Sequence, residues 1–201
     1  MLLRVLFILI VSFIPQAVTA GTIVVLGDSI SAGYGIEVSQ GWVSLLQNKL
    51  NASNGSDRVI NESISGDTTA GGLARIDRIL SEHKPVILVI ELGANDGLRG
   101  LPVNIMKNNL AEIIRRGQKA GARVLLLGMR IPPNYGKRYT NMFYNAYLQL
   151  SSELKIPYVP FILEDVALIK ELMQPDGLHP NAKAQSIIAE RVWTPLQSLL
   201  K

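Results

Sequence analysis

Four short segments carry residue types that together suit acyl transfer: Gly27-Asp28-Ser29, Ser65-Gly66-Asp67, Gly93-Ala94-Asn95-Asp96 and Asp176-Gly177-Leu178-His179. A serine hydroxyl is a weak nucleophile until a neighbouring base takes its proton. The chain has two histidines, His83 and His179. His83 lies in Ser81-Glu82-His83-Lys84-Pro85, a polar helix end where a solvated cap is expected. His179 follows Asp176 on a tight turn, a spacing that can bring a carboxylate to one imidazole nitrogen. The same spacing also suits a capping aspartate before a helix. An oxyanion formed by attack on a carbonyl needs donors aimed at it beforehand. The backbone N–H groups of Ser29 and Gly66 and the side-chain amide of Asn95 are candidates. Each segment alone is an ordinary turn; their combination, three of them after apolar runs and the fourth past the last expected strand and just before the closing helix, is the stronger signal.

The elements that must position these residues follow from periodicity. Ile23 to Leu26 is a continuous, largely β-branched run bounded by glycine, the mark of a strand buried on both faces. Further strands are expected over Arg58–Ile64, Val86–Leu92, Val124–Leu127 and Tyr158–Phe161. Helices are expected over Trp42–Leu50, Thr68–His83, Pro102–Ala120, Asn141–Leu154 and Asn181–Leu200, with a loop over Met129–Tyr139. Alternation of this kind implies an α/β fold, a three-layer α/β/α sandwich around a five-stranded parallel sheet of flavodoxin-like kind. Ligand sites of such sheets lie at the carboxyl ends of the strands, where all four segments fall.

Composition narrows the function classes. The net charge of +4 over 201 residues is too small and too scattered for nucleic-acid binding. There is no cysteine, which excludes a disulfide framework, a thiolate nucleophile and a cysteine-rich zinc site. The two histidines are far apart and no carboxylates have ligand spacing, so no metal and no cofactor is expected. Residues 1–20 combine Arg4, the apolar core Val5–Ile14 and Val18-Thr19-Ala20, the pattern of a cleavable export signal. The core is too short to span a bilayer and is broken by Pro15. The expected product is a periplasmic or secreted monomer of one domain, residues 21–201, without a membrane span.

Ser29 lies in no phosphate loop, and Ser31 stands where the α/β-hydrolase elbow has its second glycine. Gly27-Asp28-Ser29-Ile30, Gly66, Gly93-Ala94-Asn95-Asp96 and Asp176-x-x-His179 instead resemble, in order, the blocks of the SGNH (GDSL-type) hydrolases. The phrases GDSISAGYG, SGDTTAGGLAR, LGANDGLRG, IPPNYGKRY and DGLHPNA extend the resemblance to the bacterial periplasmic acyl-CoA thioesterases that also act as lysophospholipases and arylesterases. Ile30 replaces the family's usual leucine, a swap of similar size.

The resemblance implies that Ser29 is the nucleophile, His179 the general base and acid, and Asp176 its orienting acid. It implies an oxyanion hole of Ser29 N–H, Gly66 N–H and the Asn95 side chain. Asp28 and Asp96 are read as acceptors that fix their loops. Small-molecule substrates are implied: acyl-CoA thioesters, lysophospholipids, and aryl and alkyl esters. Apolar lining for an acyl tail is expected from Leu98, Leu101, Met129, Ile131, Pro132, Tyr135 and Met142. Two other readings are a carbohydrate O-acetyl esterase and a non-catalytic ligand-binding domain on the same sheet.

Overall fold

The computed structural model describes residues 20–53 and 56–200. The export signal expected over residues 1–20 lies, apart from Ala20, outside the described residues. Five strands pair in parallel in the order β2-β1-β3-β4-β5. They are β1 (Thr22–Gly27), β2 (Arg58–Asn61), β3 (Ile87–Glu91), β4 (Arg123–Leu127) and β5 (Tyr158–Val159). The helices are α1 (Ser29–Ala32), α2 (Trp42–Ala52), α3 (Thr69–His83), α4 (Ala94–Leu98), α5 (Val103–Lys119), α6 (Lys137–Leu154) and α7 (Gln185–Leu199).

The chain winds both ways from β1. It steps outward to β2, then crosses back over β1 to β3 and continues to β5. Right-handed crossovers therefore send α2 to one face of the sheet and α3, α5 and α6 to the other. The packing agrees: α2 lies against α7, while α3 packs on α5 and α5 on α6. Both faces of β1 and β3 are covered, and Ile23–Leu26 and Ile87–Ile90 expose no surface. This explains why their sequences are unbroken apolar runs rather than alternating ones. The crevice where the winding reverses opens between the ends of β1 and β3.

Several boundaries differ from the sequence expectations. The single-turn helices α1 and α4 occupy segments read as turns, and α6 begins at Lys137, four residues before Asn141. In α1 the turn is closed by Asp28, whose Oδ1 accepts from Ile30 N–H at 3.1 Å. Before α6, a 3-10 turn at Pro133–Tyr135 leads through Gly136 directly into the helix. β5 stops at Val159 because Pro160 has no N–H for the ladder. His83 is not a solvated cap. Its side chain is 12% exposed and its Nε2 lies 2.8 Å from Glu62 Oε1, because the end of α3 returns beside the chain leaving β2.

Leu88 sits at the centre of β3 with no exposed surface. Leu88→Ala should therefore destabilise the fold by about 2–5 kcal/mol. The check is a urea unfolding curve with a lower midpoint but an unchanged native circular dichroism spectrum.

Candidate active site

Ser29 opens α1 immediately beyond β1, and the turn that holds it is tightly packed. A Cβ on Gly27 would stand 2.6 Å from Ser31 Oγ and 2.8 Å from Ser63 Oγ, so only glycine fits there. Asp28 caps the helix from beneath. Ser29 N–H, in the first turn of α1, donates to no acceptor among the described residues.

His179 arrives from the opposite end of the chain. The loop that carries it is braced by a Met173–Pro180 bridge and by Gln174 N–H donating to His179 O at 2.8 Å. Gln174 Nε2 also donates to Tyr34 O at 2.7 Å and to Pro180 O at 3.1 Å, tying this loop to the segment after α1. The Tyr34 ring leans over the imidazole at a centroid separation of 4.6 Å.

Asp176 uses both carboxylate oxygens. Oδ1 accepts from the N–H groups of Leu178 and His179 at 2.9 and 3.0 Å, and Oδ2 lies 2.6 Å from His179 Nδ1. The hydrogen bond from His179, helped by the two backbone donors and opposed by slight burial, holds the Asp176 carboxyl down at about 2. An ionised carboxylate only accepts, so the imidazole proton lies on Nδ1. His179 Nε2 is then the acceptor for Ser29 Oγ–H at 2.8 Å. Asp176, His179 and Ser29 thus form one continuous hydrogen-bonded chain.

Gly66 sits at φ +80, in a turn closed by Asp67 N–H donating to Ile64 O at 3.0 Å. A side chain would be strained at that φ, and the Gly66 N–H donates to no acceptor among the described residues. Its carbonyl accepts from Arg99 Nη2 at 2.9 Å, which joins this turn to the end of α4. Asn95 lies in the first turn of α4. Its Nδ2 donates to Asp67 O at 2.9 Å and to Asp28 Oδ2 at 3.2 Å. Asp96 points the other way, accepting from Thr69 N–H at 2.9 Å and Thr69 Oγ1 at 2.6 Å, and so holds the start of α3.

Beneath Ser29 lies a carboxyl pair, Asp28 and Glu91, with no exposed surface on either residue. Burial pushes Asp28 up to about 6, against the pull of Ile30 N–H, Glu91, His179 and Asn95. Burial and the neighbouring Asp28 charge hold Glu91 well above the usual carboxylate range. Glu91 was not among the sequence candidates. One signal could have found it: it is the lone acid in the apolar run from Val86 to Leu92. Tyr34 and Arg99, also missed, had no such signal.

The expected acyl lining is dispersed. Tyr135 and Met142 share an open groove with Gly136, Lys137, Arg138 and Tyr139. Tyr135 and Tyr139 donate their hydroxyls to Leu98 O and Leu101 O at 2.7 and 2.6 Å, so both leucine carbonyls adjoin that groove. Met129 and Ile131 are core residues, 3% and 8% exposed, and Pro132 precedes the 3-10 turn. Among the described residues no group of His, Cys, Asp or Glu stands ready to hold a metal ion, and no helix is long and apolar enough to cross a membrane.

Comparison with known proteins places this geometry. Residues 25–187 match the family described as GDSL-like Lipase/Acylhydrolase. The chain is 50% identical over 188 residues to the Pseudomonas aeruginosa protein named Esterase TesA, covering 93% of each. It is 41% identical over 195 residues to the Escherichia coli K12 protein named Thioesterase 1/protease 1/lysophospholipase L1, covering 97% of this chain and 91% of that one. Among solved structures it superposes on the psychrotrophic esterase EstA of a Pseudoalteromonas species, inhibited by monoethylphosphonate. That match has a TM-score of 0.86 and 43% identity, over 90% of this chain and 98% of the other. The chain belongs to the GDSL-like lipase/acylhydrolase family.

Proposed function

We propose that this protein is a serine esterase and thioesterase that hydrolyses acyl esters through an acyl-enzyme intermediate. The observation that carries the reading is the hydrogen-bonded chain from Asp176 through His179 to Ser29, with Asn95 beside it. Its relatives' names, an esterase and a thioesterase/lysophospholipase, support the same chemistry.

In this mechanism Ser29 Oγ attacks the acyl carbonyl carbon as its proton passes to His179 Nε2. Asp176 keeps the ring oriented and balances the positive charge that arrives. The oxyanion is met by Ser29 N–H, Gly66 N–H and Asn95 Nδ2. The longer of the two Asn95 bonds, to Asp28, is the one an oxyanion would share. Collapse of the tetrahedral intermediate breaks the bond to the alcohol or thiol, which leaves with the proton from His179. Water then attacks the acyl-enzyme and gives a proton to the same nitrogen. The second tetrahedral intermediate breaks its bond to Ser29 Oγ, which takes that proton from His179 as the carboxylic acid leaves. Apolar acyl chains are proposed to lie along the Leu98, Leu101, Tyr135 and Met142 side of the site. The same reading takes residues 1–20 as a leader removed on export to the periplasm or the medium, and residues 21–201 as one monomeric domain.

Hydrolysis of p-nitrophenyl esters and acyl-CoA thioesters of increasing acyl length tests this reading. Activity should rise toward medium or long chains and vanish in Ser29→Ala; activity confined to acetyl esters would instead favour a deacetylase. Asn95→Ala should lower kcat by roughly 10²–10³, about 2.7–4 kcal/mol of lost transition-state stabilisation. The Asp176 carboxyl titrates at about 2 in the fold instead of the ordinary 3.8. Its contribution to stability is therefore complete above about pH 4 and is lost as the pH falls toward about 2. Asp176→Asn should flatten that part of the Tm-against-pH curve and, because its amide N–H would donate to Nδ1 and put the imidazole proton on Nε2, lower kcat by about 10³–10⁴.

A further inference from the structure

The mechanism above leaves one buried acid unused. Glu91 ends β3 directly opposite Gly27, the last residue of β1. Its Oε2 accepts from Ser31 Oγ–H at 2.7 Å and from Asp28 N–H at 3.3 Å, while Oε1 is buried with no partner among the described residues. The Asp28 carboxyl lies close by, near enough for its charge to disfavour ionisation of Glu91. The groups facing this pair come from several elements: Ser31 from α1, Asn95 from α4, Tyr147 from α6, and His179 from the last loop. No lysine or arginine forms an ion pair with Asp28, Glu91 or Asp96 among the described residues. Two carboxyl groups can hydrogen-bond only if one of them keeps a proton, and a site this dry without a cation favours keeping it. An ionised Glu91 would also leave a charged Oε1 without a single donor.

We propose that Glu91 is a positioning residue for ester hydrolysis: as a neutral acid it donates to the Asp28 carboxylate, and so sets how strongly Asp28 holds the Asn95 amide. This proposal rests on the esterase reading for its kinetic part. Both hydrogens of the Asn95 amide are already engaged, at Asp67 O and Asp28 Oδ2. A bare Asp28 carboxylate would compete with the oxyanion for the second hydrogen. A fully protonated Asp28 would loosen its hold on Ile30 N–H and with it the turn that carries Ser29. Sharing the Glu91 proton leaves Asp28 between these extremes, a strong enough acceptor to orient Asn95 and weak enough to yield. The directions of titration agree with this reading, since burial raises both groups, Asp28 to about 6, and the neighbouring Asp28 charge raises Glu91 further.

The test compares Glu91→Gln and Glu91→Ala in the full chain, with kcat and KM for p-nitrophenyl butyrate across about pH 5–9. Glutamine reproduces the shape and neutrality of the protonated acid and offers an N–H in place of its O–H. Glu91→Gln should therefore keep kcat within about threefold and leave the acidic limb in place. Glu91→Ala should lower kcat by about tenfold or more with KM little changed. Its acidic limb should also move to higher pH, because the donor that favours ionised Asp28 is gone. An infrared spectrum near pH 8 supplies a readout independent of activity: the wild type should show the band of a buried protonated carboxyl, absent from Glu91→Gln. A missing band in the wild type, Glu91→Gln as damaged as Glu91→Ala, or an unmoved acidic limb in Glu91→Ala would each overturn the proposal. If Glu91→Ala does not fold, the glutamine variant and the infrared band still decide. If the wild type hydrolyses no ester, the esterase reading fails while the band still reports the state of Glu91.

Discussion

The parallel pairing of β1 with β3 is the constraint on which the site depends. It sets Gly27 beside Glu91 and leaves both strands ending at the same level. Ser29 and Asn95 follow within a few residues of those ends, each lifted onto a single helical turn. The two turns are then pinned to each other through Asn95 and Asp28. A slip of one residue in this pairing would exchange which buried side chains meet each covering layer and carry Asn95 away from Ser29. Burial of Ile23–Leu26 and Ile87–Ile90 on both faces makes such a slip expensive.

Around that fixed pair, the remaining parts are held by polar contacts between loops rather than by regular structure. Asp67 O receives Asn95, Gly66 O receives Arg99, and Asp96 receives Thr69. The histidine loop is braced by Gln174 against Tyr34 and Pro180. In each case one strand-end loop restrains its neighbour, and the site is as rigid as this ring of contacts. The acids Asp28, Glu91 and Asp96 lie inward of it, almost wholly buried. Amide and hydroxyl donors, rather than lysine or arginine, meet these acids.

Much of this was legible in the sequence. The apolar runs around Ile23–Leu26 and Val86–Leu92 announced the central strands, and the segments after them carried Ser29 and Asn95. Asp176 and His179 were visible because they are neighbours on one turn, so their relation is local. What was not legible depends on distant pairing. Glu91 acquires its meaning only from the register that sets it under Asp28. His83 was misread because its partner Glu62 lies 21 residues earlier, on the chain leaving β2. The short helices α1 and α4 escaped notice because one turn is too short to show a period. The acyl lining dispersed for a related reason: Met129 and Ile131 are apolar because they fill the core, which hydrophobicity alone does not distinguish from a pocket wall.

The separation of Ser29 from His179 has a kinetic consequence. The hydrogen bond between them closes a loop of 150 residues that contains four of the five strands, β2 through β5. Loop-closure entropy disfavours such a contact until nearer pairings have formed, and sheets of parallel strands assemble slowly for the same reason. The bond is therefore among the last to be made during refolding. A chain interrupted before residue 179 carries β1 through β5 and still lacks a base for its serine. Recovery of turnover then reports the arrival of the final loop, later than the return of helical circular dichroism.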